Sequence, residues 1–446
     1  MKRGKTMRNG EIFQLVNDPD TKRLLSILRC KPTLEKTILA KEMKISFQTL
    51  TKQINNLKEK NILSQNDRTE INPTAYYACG ISIGGAQCKV TLIDAAYRVI
   101  SDKNFDEIRE KADILKQSFL KTGTSNKSNA GYRYFDTPDN LMDLTSKLNA
   151  IIKDIIKLHD KSLENAEIPP ILSIGIALTG SIDAKKQVII KSHNVSYLKN
   201  MKREMLILPD VLQNLREREI SLIIDHNAKA LAVCEKYSLY HTDNSNKEYQ
   251  NKRNVASLYL GSGVSCGLIL DNKLERGCRN LNGELGHIFV PRYSKLQGKP
   301  LLDENCTCGG TGCLEQYIIS DGFRMTRKDF KSITSDKLKA SLLSLPEEEY
   351  KEQLRILGYY LGWAIDLCVK FLNVGLIIFS GKMTCIMDEV WGYISYPTGN
   401  IDEGLLDCSK IISKYGALAP TIGAGILSTY LPNESIEWPD VESENL

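Results

Sequence analysis

Apolar residues recur at helical spacing through the first sixty positions of the chain. Three helices are predicted, over residues 20–28, over residues 34–43, and after Ser46, whose hydroxyl is suited to the N-cap position. The turn between the second and third helices is short, which is typical of a helix-turn-helix unit. The apolar positions behind this prediction are Leu24, Leu25, Leu28, Leu34, Ile38, Leu39, Leu50, Ile54 and Leu57.

The opposite face of the third predicted helix is polar. It presents Gln48, Thr49, Lys52, Gln53 and Asn56. Side chains of these types bind base edges and phosphates when a helix lies in the major groove of DNA. Residues 1–72 also hold 15 Lys and Arg against 8 Asp and Glu, although the whole chain has a net charge of only +5. The positive charge is therefore concentrated at the N-terminus, where nucleic acid is the natural partner.

A short hairpin is predicted after the third helix. Residues 61–64 form one strand, residues 65–68 the turn, and residues 69–72 the returning strand. Arg68 at the tip is placed to contact a DNA backbone or minor groove. We therefore predict a winged helix-turn-helix DNA-binding domain over residues 1–75. The alternative is a three-helix packing or dimerisation module whose polar face is only solvated.

From Tyr77 onward, apolar strands alternate with helices, which predicts two α/β lobes with a cleft between them. The first lobe is placed at residues 76–195 and the second at residues 196–432. Residues 121–140 are polar and are predicted to form an exposed loop, and residues 433–446 a solvated acidic tail. The predicted strands are 78–83, 89–93, 171–178, 222–224, 255–260 and 266–270, the predicted helices are 141–159 and 228–237, and the apolar run 357–380 is predicted to be a buried helix followed by a buried strand.

Composition limits the class of protein. The 446 residues are 42% hydrophobic and 25% charged, which is typical of a globular chain with two or three domains. The basic start leads into no apolar segment, so no secretory signal is predicted. Asp366 and Lys370 interrupt the longest apolar run, which argues against a membrane span. Twelve cysteines without regular spacing outside one cluster are typical of a reducing compartment, so a cytoplasmic location is expected.

That cluster is the strongest chemical signal in the chain. Its members are His287, Cys306, Cys308 and Cys313. One imidazole and three thiolates form a complete tetrahedral ligand set for a structural Zn²⁺, with no position left open for water. Closely spaced cysteines around a glycine-rich turn favour a metal over the alternatives, a disulfide or buried free thiols. A carboxylate flanks the cluster on each side, at Glu284 and Glu315.

With these motifs the chain resembles the ROK family, named for repressors, open reading frames and kinases. The segments that carry the resemblance are Gly-Glu-Leu-Gly-His at 283–287, Cys-Thr-Cys-Gly-Gly-Thr-Gly-Cys-Leu-Glu at 306–315, Gly-Ile-Ala-Leu-Thr-Gly-Ser-Ile-Asp at 175–183, Ile-Asp-His-Asn-Ala-Lys-Ala at 224–230, and the helix-to-strand step at 372–381. The resemblance implies an actin-like, ribonuclease-H-like two-lobe fold with a sugar in the cleft, often in a dimer or tetramer. Members with an N-terminal winged helix resemble repressors of sugar-utilisation operons, and members without it are sugar kinases.

The resemblance also implies a set of sugar-binding residues. They are Asn194, His226, Asn227, Glu284, His287 and Glu315. His287 would bind zinc through one ring nitrogen and a sugar oxygen through the other. The spacer between His287 and Cys306 is longer than is usual in the family, so residues 293–300 are expected to loop out.

The same resemblance bears on kinase chemistry. A sugar kinase needs a carboxylate to accept the proton of the attacking hydroxyl. The family supplies an Asp where this chain has Asn227, and an amide is not a general base. The phosphate loop, which begins with Asp in family kinases, begins here with Ser82. Asp225 is expected to point elsewhere, so ATP turnover is not predicted.

The sequence therefore predicts a zinc-stabilised, sugar-responsive regulator, a repressor of carbohydrate utilisation. Its expected partners are operator DNA, a small carbohydrate effector and one or three further copies of itself, with no membrane. The enzyme alternative is an ATP-dependent sugar kinase. A third alternative is a zinc-dependent interaction scaffold without a small ligand.

Overall fold

The computed structural model of the protein describes residues 7–32, 34–125, 129–192, 194–241, 247–303, 305–396 and 408–439. The helices are α1 (Asn9–Val16), α2 (Pro19–Cys30), α3 (Lys36–Met43), α4 (Phe47–Glu59), α5 (Asp102–Lys111), α6 (Leu141–Glu164), α7 (Pro209–Glu217), α8 (Asn227–Ser238), α9 (Lys247–Gln250), α10 (Leu314–Tyr317), α11 (Arg327–Ser332), α12 (Ser335–Leu343), α13 (Glu347–Leu372), α14 (Met387–Val390) and α15 (Ala419–Ser428). The strands are β1 (Tyr77–Ile83), β2 (Gln87–Asp94), β3 (Lys121–Ser125), β4 (Ala130–Asp136), β5 (Ile171–Leu178), β6 (Ser181–Asp183), β7 (Val188–Lys191), β8 (Lys199–Lys202), β9 (Ser221–His226), β10 (Val255–Leu260), β11 (Val264–Leu270), β12 (Lys273–Glu275), β13 (Leu376–Ser380) and β14 (Ser409–Ile412). In these ranges, no helix combines the length and the apolar character that a membrane crossing requires.

Helices α2, α3 and α4 confirm the three helices predicted at the N-terminus. Ser46 is the N-cap of α4, since its hydroxyl oxygen accepts a hydrogen bond from the Thr49 N–H at 3.1 Å. Lys44 takes the left-handed conformation with φ 56° and makes the tight turn between α3 and α4. The predicted apolar faces meet in one core, in which Leu24, Leu50 and Leu57 are fully buried. Helix α1 was not predicted, although four of its eight residues are apolar and Ile12 and Val16 are buried in the same core.

The segment after α4 forms a short antiparallel pair. Leu63 and Ile71 lie opposite each other, the Ser64 N–H donates to the Glu70 carbonyl at 2.8 Å, and the Asn72 N–H donates to the Ile62 carbonyl at 2.9 Å. The pairing is where the hairpin was predicted, but it is shorter than two regular strands. We call the unit of α1 to α4 and this pair the head.

The first lobe is built on a six-stranded sheet in the order β3-β4-β2-β1-β5-β9. Strands β1, β5 and β9 are parallel, while β2, β3 and β4 are antiparallel to their neighbours. Because β9 belongs to this sheet, the first lobe continues past residue 195, where the sequence had placed its end. The loop predicted over residues 121–140 is also wrong. It contains β3 and β4, of which β4 pairs with β2 and β3 forms the edge of the sheet, where its polar residues are tolerated.

The second lobe repeats this design on a five-stranded sheet in the order β12-β11-β10-β13-β14. Helices α8 and α15 pack against each other, with α15 on β1 and β5 and α8 on β11. Gly423 permits the close helix crossing, because a Cβ at this position would lie 1.8 Å from the Ala230 carbonyl oxygen. The two helices therefore form the packed layer between the two sheets.

Two expectations about surface segments need correction. The tail predicted to be solvated begins with packed residues: Ile436 and Trp438 are buried, and the Trp438 N–H donates to the Asn272 carbonyl at 2.8 Å. Their apolar side chains alternate with acidic residues, and residues 440–446 lie outside the described part of the chain. Residues 293–300, expected to loop out, are anchored on α13. The Tyr293 and Tyr359 ring centroids lie 5.4 Å apart.

The head is fastened to the lobes through a buried arginine. The Arg29 guanidinium lies 3.7 Å from the centre of the Tyr97 ring and donates to the Tyr76 hydroxyl at 2.9 Å and to the Ala95 carbonyl. Only 5% of Arg29 is exposed. Tyr97 in turn packs edge-on against Tyr237 near the end of α8, with ring centroids 5.1 Å apart. The end of α8 therefore contacts Tyr97, one of the residues that hold Arg29 of the head. We call Tyr76, Tyr97 and the Ala95 carbonyl around Arg29 the cage.

Candidate functional site

The four predicted metal ligands come together at one point of the second lobe. The ligand atoms of His287, Cys306, Cys308 and Cys313 all lie within 4.8 Å of one another. The Cys308 and Cys313 sulfurs are 3.6 Å apart, and His287 Nδ1 is 3.4 Å from the Cys306 sulfur. Two thiolates on one tetrahedral Zn²⁺ are separated by about 3.8 Å. The cluster therefore has the donors and the dimensions of a site for one metal ion.

The loop that carries these sulfurs is shaped by glycine. Gly309 and Gly312 have φ values of 92° and 77°, in the left-handed region that favours glycine. The Cys306 N–H donates to the Gly310 carbonyl and the Gly309 N–H donates to the Cys306 carbonyl, both at 2.9 Å, which closes the knuckle. Cys308 and Cys313 are free thiols at 3.6 Å, far beyond the roughly 2.05 Å of a disulfide.

The charge state of Cys306 suits a metal ligand. Burial alone would raise the pKa of this thiol, but the contact with His287 and the N–H of Cys308 outweigh burial and lower the pKa to about 6. Metals bind the thiolate and not the thiol. The site therefore favours the binding form of this ligand at neutral pH.

His287 connects the cluster to the cleft between the lobes. Its Nδ1 faces the sulfurs, and its Nε2 lies 3.9 Å from Glu284 on the other side of the ring. The opposite oxygen of Glu284 lies 3.3 Å from His226 Nε2. His226 Nδ1 accepts the Ala228 N–H at 3.0 Å at the start of α8, so the ring proton is on Nε2 and points at Glu284. A metal held by His287 would therefore fix the carboxylate of Glu284 as well.

All six residues predicted to bind sugar line one cavity in this cleft. They are Asn194, His226, Asn227, Glu284, His287 and Glu315. The cavity is small, with a volume of about 50 Å³. The side-chain oxygens of Asn194 and Asn227 are buried and accept no hydrogen bond from any described residue. Two orphaned acceptors in one cavity are suited to a ligand that carries hydroxyl donors.

Glu315 lines the cavity but is already engaged. One carboxylate oxygen accepts the Val264 N–H at 2.7 Å, and the other forms a buried ion pair with Arg327. Glu315 thus ties α10 to the start of β11 and to α11. It is less available to a ligand than the sequence suggested, because both oxygens have protein partners.

The structure also shows where Asp225 and Ser82 lie, the two residues considered above for kinase chemistry beside Asn227. Asp225 is buried and points away from the cavity, where it accepts from Arg276 at 2.6 Å and from Asn280 at 3.1 Å. Ser82 is buried, and its hydroxyl lies 2.7 Å from that of Thr421. Among the side chains that line the cavity, the carboxylates are Glu284 and Glu315. Neither occupies the position of Asn227 at the start of α8.

The predicted DNA-binding residues of α4 lie at helical spacing on one side of that helix. Gln48, Thr49, Lys52 and Asn56 are exposed on α4, Gln53 is half-buried, and Arg68 is exposed at the tip of the antiparallel pair. Thr49 is less free than expected, since its hydroxyl lies 2.8 Å from that of the N-cap Ser46. Arg68 lies 3.6 Å from Glu70.

This face borders a groove that the sequence did not reveal. Thr49, Lys52, Gln53 and Asn56 form one wall of a groove of about 870 Å³, and the other wall comes from α1 and α2. Three acidic residues lie on that second wall, namely Glu11, Asp18 and Asp20. The basic excess of the N-terminal segment is therefore not uniform around α4.

Sequence reasoning missed several residues of both sites. Thr179, Ser262 and Tyr259 line the cavity, and Thr179 lies in the segment 175–183 that carries the family resemblance. Arg327 had no signal in the sequence, because nothing in its spacing from Glu315 indicates an ion pair. Phe47 is half-exposed at the first position of α4, where an apolar side chain can contact thymine methyl groups.

Comparisons with known proteins identify the family to which the sequence is similar. A family model described as the ROK family matches residues 139–401, which is more than half of the chain. The chain is 29% identical over 169 residues to a xylose repressor from Caldicellulosiruptor bescii, and 32% identical over 180 residues to an N-acetyl-D-glucosamine kinase from Yersinia enterocolitica. These alignments cover 37% and 40% of this chain, and 36% and 51% of the respective relatives. The chain thus spans between about a third and a half of the length of the curated relatives it matches.

Solved structures resemble the chain over a greater length. One is a ROK family transcriptional regulator, a homologue of the E. coli MLC protein, with a TM-score of 0.63 and 17% identity over 93% of this chain and 96% of that one. Another is a ROK family glucokinase from Streptomyces griseus in complex with glucose and AMPPNP, with a TM-score of 0.50 and 16% identity over 79% and 99% of the two chains. At these identities the likeness establishes the fold, which confirms the predicted two-lobe α/β architecture.

Proposed function

The chain belongs to the ROK family, and we propose that it acts there as a sugar-responsive, DNA-binding transcriptional regulator, a repressor of carbohydrate utilisation, with a structural Zn²⁺ in the sugar-binding body. The observation that carries the proposal is Asn227. Its buried amide oxygen lies in a cavity of hydrogen-bonding groups, at the position where a ROK kinase would need a carboxylate. An amide can hold a hydroxyl but cannot remove its proton.

The binding of a sugar is supported by the chemistry of the cavity. His226, Asn227, Asn194 and Glu284 offer both donors and acceptors, and polyols are distinguished by such convergent polar groups because a missing hydroxyl leaves one of them unpaired. Among relatives, a xylose repressor and sugar kinases point to the same ligand class.

The loss of catalysis is supported by two independent positions. Asp225 cannot replace the missing base without breaking its buried contacts with Arg276 and Asn280. At the phosphate loop, Ser82 supplies no carboxylate for a metal ion, and its hydroxyl is held by Thr421. A catalyst would need both functions at once.

The binding of DNA is supported by the head. Helix α4 exposes polar residues next to a short hairpin pair, as a recognition helix and wing do. The likeness to the transcriptional regulator covers 93% of this chain, against 79% for the glucokinase. A difference of that size is expected if the head has a counterpart in the regulator only. In a dimer, two such heads would contact successive major grooves.

Helix α8 provides a route from the sugar to the DNA. It begins with Asn227 in the cavity and runs for 12 residues, about 18 Å, to the Tyr237 region beside the cage of Arg29. Nearly the whole helix is buried, so a shift at one end moves the other end with it. A sugar that separates His226 from Glu284 would thus change the position of the head by population shift.

The proposal is tested by combining a turnover assay with ligand binding. The purified chain is incubated with ATP, Mg²⁺ and a panel of sugars, and ADP release is measured beside thermal stabilisation by each sugar. Stabilisation without sugar-dependent ADP release is expected. Stoichiometric turnover of ATP with any sugar of the panel would instead establish the kinase alternative.

A further inference from the structure

Helix α8 carries a buried cation in its first turn. Lys229 is the third residue of the helix, two positions after Asn227, and none of its surface is exposed. The positive end of the helix dipole lies in this turn and disfavours a cation, and burial disfavours it further. A lysine at such a position is therefore poor evidence for a stabilising role, and its charge calls for another explanation.

The ammonium group of Lys229 holds the backbone next to the cavity. Its Nζ donates to the carbonyl oxygen of Asn282, two residues before Glu284. Between these two residues, Gly283 has a φ of 94°, and its carbonyl accepts the Cys266 N–H at 2.8 Å. A Cβ on Gly283 would lie 1.7 Å from the Cys266 carbonyl oxygen, so the backbone is closely packed there. Lys229 and Cys266 thus fix the chain directly before Glu284.

The charge of Lys229 also acts on Glu284 itself. Asp225, another carboxylate close to Lys229, is already paired with Arg276 at 2.6 Å. Glu284 lines the cavity and lies 3.3 Å from His226. The attraction between Lys229 and Glu284 therefore supports the orientation that the backbone contact sets.

The charge of this lysine changes close to neutral pH. Burial lowers the pKa of Lys229 to about 8. The side chains whose charge acts on it are, in decreasing order, Asp225, Arg276, Cys266 and Glu284. They belong to β9, β11 and the segment after β12, whereas α15 and β5, which also pack on α8, contain no titratable side chain. Burial raises the pKa of Tyr259 on β10 to about 12, so this group stays neutral while Lys229 titrates.

We propose that Lys229 is a positioning residue of the sugar site, whose ammonium group holds the Asn282 carbonyl and thereby turns Glu284 toward His226 and a bound sugar. Lys229 lies outside the described lining of the cavity and acts through Glu284, which belongs to it. The inference rests on the proposed function and adds a residue to its site. It makes the charged form of Lys229 the form that supports sugar binding.

Isothermal titration calorimetry at neutral pH tests this role with whichever of xylose, glucose and N-acetylglucosamine binds the wild-type chain most tightly. Lys229→Met keeps the length of the side chain and removes both its charge and its hydrogen bond. The variant is expected to bind the sugar at least about 10-fold more weakly, which corresponds to one hydrogen bond to a charged group. Its thermal midpoint should not fall, because the buried cation does not stabilise the fold and water can reach the half-buried Asn282.

A pH profile separates the charge of Lys229 from a purely structural role. Wild-type affinity should be highest below about pH 8 and should fall as the pH rises through that value, because the lysine then loses its proton. Lys229→Arg stays charged over this range, so its affinity should not show that fall. The comparison of the wild type with Lys229→Arg decides the question even if Lys229→Met does not fold.

Lys236→Met is the matched control. Lys236 is equally buried on α8, donates to the Lys252 carbonyl at 2.7 Å and lies outside the described lining of the cavity, so this variant should bind the sugar like the wild type.

The outcomes distinguish this inference from the proposed function. The inference is overturned while sugar sensing stands if Lys229→Met binds the sugar as tightly as the wild type. The same holds if Lys236→Met weakens binding equally, or if Lys229→Arg shows the same fall with pH as the wild type. If none of the three sugars binds the wild-type chain, the sugar-sensing function is overturned, and this inference with it.

Discussion

His226 Nε2 lies 3.3 Å from Glu284 Oε1, and the two residues come from different lobes. His226 is the last residue of β9 in the first sheet. Glu284 follows Gly283, whose carbonyl accepts a hydrogen bond from the backbone N–H of Cys266 in the second sheet. This contact spans the cleft at the floor of the candidate site. With it in place the cavity holds about 50 Å³. Both residues line this cavity, so a sugar bound there would contact them, and ligand binding and lobe geometry meet at this pair.

Replacing Asn227 with Ala should weaken sugar binding. The variant removes a buried acceptor that has no partner among the described residues, so the loss is one hydrogen bond, about 0.5–1.5 kcal/mol or about 2- to 13-fold in affinity. Calorimetry with the tightest sugar of the panel measures it. Asn104→Ala on the exposed face of α5 is the control and should bind normally. An unchanged affinity in Asn227→Ala would remove Asn227 from the sugar site.

Removing the metal should unfold the knuckle and loosen the cleft. Cys308→Ser is expected to lose one Zn²⁺ per chain and several kcal/mol in the free energy of unfolding, since structural zinc contributes about 10 kcal/mol or more in small domains. Metal content by elemental analysis and the thermal midpoint are the measurements. Cys278→Ser, which changes an exposed cysteine outside the cluster, should alter neither. Wild-type protein that is fully stable with no bound metal would disprove a structural role.

Much of the fold could be predicted because its strongest elements have clear periodicity. The buried strands β5 and β10 were located to the residue, since continuous apolar runs bounded by turns leave little choice. Strands β3 and β4 were missed because β3 is a polar edge strand and the place of β4 depends on pairing with β2 and β3. The extent of the first lobe was also missed, since nothing local to β9 tells which sheet it joins.

In the candidate site, too, some features could be predicted from local sequence and others depend on packing. The four candidate metal ligands were predicted from the cysteine spacing and the nearby His287, and the structure brings them together in a group that could hold a metal ion. The ion pair of Glu315 with Arg327 depends on how α11 packs against the cleft. No local pattern carries that information.

Replacing Arg29 with Met should uncouple sugar from DNA. The guanidinium is held by Tyr97, Tyr76 and the Ala95 carbonyl, and Met fills the space without these bonds. The variant is expected to bind DNA and sugar separately while the effect of sugar on DNA affinity falls toward zero. Anisotropy titrations with and without sugar measure the coupling. Arg98→Met is the control, since Arg98 is exposed beside the same junction. Full coupling in Arg29→Met would show that the signal takes another path.

Charge on the head should control the salt dependence of DNA binding. Lys52→Ala and Arg68→Ala remove exposed cations from the proposed DNA face, so each should weaken binding and lower the slope of log affinity against log salt by about 1. Lys199→Ala, an exposed change on β8 of the body, should leave the slope unchanged. If Lys52→Ala and Arg68→Ala behave like Lys199→Ala, DNA does not contact this face.

Glu235 should make stability depend on pH. Burial raises the pKa of this carboxyl to about 7, against hydrogen bonds from Ser413, Ser380 and Ser238 that lower it. Because the folded pKa lies above the ordinary value of 4.5, the folded state binds the extra proton, and stability falls as pH rises from about 4.5 to about 7. The Gln side chain of Glu235→Gln does not titrate, so this loss is absent. Its free energy of unfolding should exceed that of the wild type by about 3 kcal/mol at pH 8 and by almost nothing at pH 4. Urea unfolding at both pH values checks the sign, and an equal difference at the two would contradict it.

The most direct test of sensing without catalysis is the DNA affinity of the intact chain with and without sugar. A binding sequence is first selected from random duplex DNA, and its affinity is then measured by fluorescence anisotropy at fixed salt, with each sugar of the panel and no ATP. The account predicts sequence-specific binding whose affinity changes at least about 5-fold with one sugar, the lower end of typical coupling. Selection of no sequence, or an affinity that no sugar changes, would contradict it.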